Sequence, residues 1–254
     1  MATKNLVLFG VIVFIATNMN VAFTTAQDVK ATLFKEAKPA LQQAKQAKAD
    51  ILAPKSFNKG MEHYREAEED LKKGENLEDI RKKLRAAVAY FTKAAEATKL
   101  AEVTFISSMK ARSDARSVQA PGFASELWQK AEEKFAEAAT ELENGDVKDA
   151  KKKSAEAEKI FRRAELDAIK VAYLNETWQL LEQADRTDIK DRAPKTLARA
   201  QSLIKRAEKE LTENRYDTDV ARNLAKQARD EAKHAIYLSN AIRNYKTMIV
   251  NLKT

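Results

Sequence analysis

The chain has no cysteine among its 254 residues. Disulfides, a thiol nucleophile and a Cys-ligated metal are therefore excluded. So is the lipidated cysteine that follows a lipoprotein signal. Glycine and proline are scarce, at 5 and 4 residues. A sheet-rich fold needs turn residues about every ten positions, so it too is excluded. Aromatic residues make up 7% and do not interleave the basic runs. Stacking platforms for nucleic acid are therefore not indicated. The 2 histidines, His63 and His234, stand alone, without metal-ligand spacing. His63 is expected to face solvent. No Gly-rich phosphate loop and no G-x-S-x-G elbow occur. Carboxylate pairs such as Glu68-Glu69 and Glu132-Glu133 lie among lysines. General acid–base work needs burial or a cleft to shift a pKa, and a lysine-rich helix surface offers neither. No catalytic residue, cofactor or metal is expected, and the chain reads as a non-enzyme.

Long apolar runs are also missing. The longest, Leu6 to Ala16, is too short to span a bilayer comfortably, which takes about 20 residues. It follows Lys4 and precedes Thr24-Thr25-Ala26, whose small residues suit a cleavage site. This is the pattern of a secretory signal peptide over residues 1–26, with an uncleaved N-terminal anchor as the alternative. The mature chain is expected to start at Gln27 and to hold no transmembrane segment. An exported protein without disulfides fits a bacterial periplasm.

Present in abundance are Ala, Lys, Glu, Leu, Gln and Arg, the strongest helix formers. Charged residues make up 33% and the formal net charge is +8. Basic residues cluster at Arg81, Lys82, Lys83 and Arg85, and again at Lys151, Lys152 and Lys153. These are candidate contacts for an anionic lipid or polymer surface. The alternative is an ordinary solvated helix face.

A seven-residue spacing exposes an internal repeat. Phe57, Tyr64 and Leu71 alternate with Gly60 and Ala67. Trp128, Phe135 and Leu142 alternate with Ala131 and Ala138, and Leu197, Ile204 and Leu211 with Ala200 and Ala207. Each run ends at Gly74, Gly145 or Asn214, residues that tolerate the left-handed conformation closing a helix. Each is preceded by Ala-Pro, at Ala53-Pro54, Ala120-Pro121 and Ala193-Pro194, and proline suits a first helical turn. A longer helix follows each. Asn76, Asp146 and Asp217 open these helices as caps.

The long helices carry heptads: Ile80, Ala87, Ala94, Ala101, Ser108 and Ala115, with Leu84, Phe91 and Phe105 beside them; then Ala150, Ala157, Ala164, Val171 and Trp178, beside Phe161; then Ala221, Ala228, Ala235, Ile242 and Ile249. These stripes are expected to form a core, with alanine allowing close helix approach. The predicted fold is all-α: an elongated array of antiparallel helical hairpins, rod or solenoid, in three repeats of about 70 residues. The expected segments are a leading helix over 27–52 and repeats over 53–119, 120–192 and 193–254.

The spacing Ala131-x3-Phe135-x2-Ala138, with Gly145-Asp146 opening a second helix, partly resembles tetratricopeptide repeats. Here the period is about twice as long, and the signature of their first helix is missing. The cadence Ala-Pro-x2-(Phe/Leu)-x6-(Tyr/Ile)-x2-Ala-x3-Leu, running from Ala53 to Gly74 and from Ala193 to Asn214, is closer. It is similar to an uncharacterised helical repeat domain of bacterial envelope proteins. The second unit departs from it by four extra residues after Pro121. The resemblance implies a place beside OmpA-like peptidoglycan-binding domains, though no such domain is recognisable here. The signal pattern, the repeat and the absence of a site point to a periplasmic scaffold or spacer, with other envelope proteins as its expected partners. The runner-up is a binding module whose basic faces hold peptidoglycan or another anionic polymer.

Overall fold

The computed structural model describes residues 29–252. The expected signal segment, 1–26, lies outside them. Among the described residues the chain is all-helical, with no strand. The packing divides the described residues into two compact units, one up to residue 99 and one from residue 100 onward.

In the first unit, 29–33 are helical, followed by α1 (Ala37–Gln46), α2 (Ala49–Leu52), α3 (Pro54–Lys73) and α4 (Leu77–Thr104). Gly74, at φ 73°, closes α3: its N–H and that of Glu75 donate to the carbonyls of Leu71 and Asp70. The side chain of Asn76 accepts the free N–H of Glu78 at 2.8 Å and starts α4. α3 and α4 form an antiparallel hairpin. Its core joins Phe57 and Tyr64 to Ile80, Leu84, Ala87 and Phe91, with Phe34 edge-on against Tyr64.

In the second unit come α5 (Ile106–Ser117), α6 (Ala120–Phe123), α7 (Ser125–Glu143), α8 (Val147–Asp185), α9 (Ile189–Arg192), α10 (Pro194–Glu213) and α11 (Asp219–Asn251). α7 and α8 pair antiparallel around Gly145, at φ 89°. α10 and α11 pair likewise. α8 serves both pairs. Toward its start Phe161 packs on Phe135 and Trp128, and buried Ser154 hydrogen-bonds Ser108 of α5 at 2.7 Å. Toward its end Thr177 reaches the carbonyl of Ala225, and the indole of Trp178 donates to Glu208.

The helices entering each hairpin break in the same way. Ala53, Ala124 and Ala193 take φ/ψ near −144/56°, −136/48° and −136/50°. Before Pro54 and Pro194 the α region is sterically disfavoured. Ala124 precedes Ser125 and breaks identically, so proline is not the only cause. The four extra residues after Pro121 are thereby explained. Residues 120–123 are α6, a turn of its own, and the counterpart of Ala53 is Ala124, not Ala120. From these alanines the spacing matches without a gap: Phe57 with Trp128 and Leu197, Tyr64 with Phe135 and Ile204, Leu71 with Leu142 and Leu211.

Other expectations need correction. The helix from Leu77 does not run unbroken through the heptad stripe. It stops at Thr104 and restarts at Ile106, across Phe105 at φ −111°. Asn214 is not left-handed (φ −143°). The turn beyond it is held instead by Arg215, whose guanidinium donates to the carbonyl of Arg162 at 2.5 Å. In the heptad stripes Ala87, Ala94, Ala157, Ala164, Ala228 and Ala235 are fully buried. Val171, Trp178, Ile242 and Ile249 are only half-buried. A strict heptad drifts about 20° per repeat around a straight helix, and the buried face of α8 moves to Leu174, Thr177, Leu181 and Ala184. Trp128 is likewise half-buried, under the guanidinium of Arg112.

Candidate functional site

The basic clusters lie at the mouths of the first and second hairpins, where each long helix leaves its turn. Residues 81–90 and 151–160 share one pattern of burial, position by position. The structure gives their members different tasks. Lys83 turns inward and meets Asp70 at 2.8 Å and Glu66 at 3.5 Å on α3. Lys153 does the same with Glu141 at 2.7 Å and Glu137 at 3.7 Å on α7. In both hairpins one lysine on the long helix bridges two carboxylates a turn apart on the short one. The hydrogen bond that Lys83 donates to Asp70 raises the Lys83 pKa, and the one that Lys153 donates to Glu141 raises the Lys153 pKa. The same bond from Lys153 holds Glu141 below the usual carboxylate range.

Arg81 and Arg85 both reach Glu78, at 3.4 and 3.1 Å. Their hydrogen bonds, that of Arg85 foremost, depress the Glu78 pKa. Of the seven candidate surface cations, Arg81, Lys83, Arg85 and Lys153 thus have carboxylate partners. Lys82, Lys151 and Lys152 are exposed and make no ion pair among the described residues. These three are what the hairpin mouths offer to an anionic surface.

Beside the first mouth is an open hollow of about 510 Å³, lined by His63, Glu66, Asp70, Glu75, Asp79 and Lys82. His63 does not simply face solvent. Its ring stacks on Tyr90, centroids 5.6 Å apart, and Nδ1 sits 3.8 Å from a Glu66 oxygen. A second hollow, of about 440 Å³, lies between Phe123, Leu127, Val171 and Trp178, with Asp167 and Lys170 at its rim. Among the described residues no three of His, Asp and Glu converge as a metal site. No helix among them is long and apolar enough to cross a membrane.

Sequence reasoning missed the strongest polar cluster. Glu165 on α8 is almost fully buried and receives Arg162 at 3.1 Å and Arg215 at 3.3 Å. Arg162 also reaches Asp114 of α5 at 2.7 Å and the hydroxyl of Tyr216 at 3.1 Å. Nearby, Arg112 grips Glu132 with two bonds, of 2.6 and 3.1 Å, and covers the face of Trp128. A helical wheel marks position 165 as one charge among many. Only the crossing of α5, α8 and the turn before α11 shows it to be a joint.

The fold and these surfaces define a class: among the described residues, an all-α protein built of antiparallel helical hairpins with alanine seams and charged latches between their helices. Beyond the class, comparison finds no matching protein-family model, no matching curated protein and no matching solved structure.

Proposed function

We propose that this chain is a non-catalytic, exported helical scaffold or spacer, built as three repeats of about 70 residues in an elongated array. It holds protein or envelope components together or at a distance. The observation that carries this reading is the double use of α8. Its first half packs on α7 and α5, and its second half on the hairpin of α10 and α11. A helix shared in that way lets units be added along one direction without a new core, as repeat proteins do. The equal spacing around Ala53, Ala124 and Ala193 supports the same reading. Export rests on the signal pattern of residues 1–26. Mass spectrometry of the exported chain should find Gln27 at its start.

Small-angle scattering tests the array. The radius of gyration should exceed clearly the roughly 18 Å of a compact domain of this length. A compact value would remove both the rod and the solenoid.

A second reading, in which basic faces hold an anionic envelope polymer or lipid, is favoured by the free exposure of Lys82, Lys151 and Lys152. Salt titration of binding to anionic polysaccharide, lipid vesicles and cell wall separates the two. Surface attraction of this kind should vanish by moderate salt and weaken when these lysines become glutamate. Absence of binding at low salt would leave the scaffold reading alone.

A further inference from the structure

The hollow of about 440 Å³ in the second unit lies within the size range of small-molecule sites. Its walls come from α6, the first turn of α7 and the second half of α8, and Phe123, Leu127, Val171 and Trp178 supply their apolar part. Phe123 is 46% exposed, whereas Leu52, which stands in the same place before Ala53, is 1% exposed. An aromatic ring is thus left open at a place that the first hairpin seals. Trp178 is held in position, because its indole N–H donates to Glu208 at 2.8 Å. Two charges in this wall are unmatched. Lys170 is half-buried and has no carboxylate partner among the described residues. Every other half-buried basic side chain of this unit has one, from Arg112 on Glu132 to Arg229 on Glu176. Asp167 is half-buried and unpaired as well. The two stand three residues apart on α8, where opposite charges are neighbours, yet they form no ion pair. Glu126 adds a free carboxylate from α7.

We propose that this hollow binds a small zwitterion with an apolar body, of the chemical class of an apolar amino acid. Its carboxylate meets Lys170, its ammonium meets Asp167 and Glu126, and its side chain lies against Phe123, Leu127 and Trp178. Charge complementarity selects this class. A simple anion would face two free carboxylates, and a simple cation would leave Lys170 unmatched. An ammonium and a carboxylate on one apolar body answer both signs at once. The rings of Phe123 and Trp178 add their own attraction for an ammonium. Charged groups that are partly withdrawn from water gain most from such pairing. The hollow is open to solvent on one side, so the expected Kd is about 1 mM. Such a site goes beyond the scaffold role and does not depend on it.

The test titrates the full chain with L-phenylalanine, phenethylamine and 3-phenylpropanoate, read by ligand-observed NMR. The second compound lacks the carboxylate and the third lacks the ammonium. L-Phenylalanine should bind about fivefold or more tightly than either. Lys170→Met keeps the apolar stem and removes the charge. It should weaken L-phenylalanine about fivefold and leave phenethylamine unchanged. Asp167→Asn should weaken both of these. Neither side chain has a protein partner, so the melting curves of the variants should match that of the wild type. Equal affinity for the three compounds would overturn the proposal, and so would variants that bind L-phenylalanine as the wild type does. Absence of L-phenylalanine binding up to about 20 mM would also overturn it. Binding of 3-phenylpropanoate alone, lost in Lys170→Met, would overturn it in favour of an anionic amphiphile.

Discussion

Gly60 sits on α3 at the place that Ala131 holds on α7 and Ala200 on α10. A Cβ at Gly60 would lie 2.7 Å from both Cδ1 and Cε1 of Phe91 and 3.2 Å from its Cγ. Carbon atoms rest comfortably at about 3.5–4.0 Å, so the ring would have to retreat by about 1 Å. Phe91 is fully buried, with Phe57 and Tyr64 centroids 5.8 and 6.3 Å away, and retreat means repacking all three rings. Overpacking of this kind costs about 1–3 kcal/mol. Alanine in place of glycine inside a helix returns about 0.8–1.0 kcal/mol. Gly60→Ala should therefore destabilise by up to about 2 kcal/mol, where propensity alone predicts a gain. Urea unfolding of four proteins decides it: wild type, Gly60→Ala, Phe91→Leu and the double variant. Leucine lacks the ring edge that meets the new methyl. On the Phe91→Leu background Gly60→Ala should turn into a gain approaching 1 kcal/mol. A full propensity gain in the wild-type background, or a penalty that Phe91→Leu leaves unchanged, would refute the close approach.

Ala157→Leu forces extra methylenes into the seam of α8 and should cost about 1–3 kcal/mol, whereas Lys152→Ala, on the exposed face, should stay within about 0.5 kcal/mol; thermal melts compare them, and equal melts would mean the heptad register is wrong. Glu165→Gln leaves Arg162 and Arg215 without their shared carboxylate. Both arginines keep partial access to water, so the loss should fall near the lower end of about 1.5–3 kcal/mol, read by urea unfolding. Hydrogen bonds from Lys153 to Glu141, from Lys134 to Glu137, from Lys110 to Asp114 and from Lys233 to Glu176 hold these carboxyls below their ordinary range. Groups lowered in the folded state contribute stability that is complete above their unfolded pKa, about 4 to 4.5, and lost as pH falls through the folded value. The melting temperature should be level between about pH 6 and 9 and decline below about pH 4.5; a rise on acidification would contradict the latches.

Helix content, the hairpins and most of the core were legible in the sequence because each rests on a local period. Alanine every seventh residue marks a close seam whatever the partner, and glycine at 74 and 145 ends a helix for its own backbone reasons. Asn214 misleads because the same side chain permits a left-handed residue without requiring one. Its turn is fixed by Arg215 reaching back to Arg162, a contact that no local pattern announces. The break at Phe105 is equally silent, for neither glycine nor proline stands there. The basic clusters show the limit most clearly. Lys82 and Lys83 are neighbours in sequence, yet about 100° apart around the helix. One meets solvent and the other a pair of carboxylates on a different helix. A charge run therefore locates the surface without saying which of its members are free.

The third hairpin shows what the lysine latches are for. Its short helix carries Arg206 and Glu210 where the others carry Glu66 and Asp70, or Glu137 and Glu141. Its long helix carries Leu224 where the others carry Lys83 and Lys153. Leu224 is buried in the same core as Leu211, so an apolar contact closes this mouth. Its turn is also pinned from α8, by Arg215 on Glu165 and on the carbonyl of Arg162. A mouth closed by lysine in two hairpins and by leucine in the third is performing a structural task, since a binding task would not survive the loss of the charge. The cations left for a partner at the mouths are then Lys82, Lys151 and Lys152. Charge on the solvated flank of a closed hairpin can only attract, so the expected behaviour at the mouths is salt-sensitive, unspecific attraction.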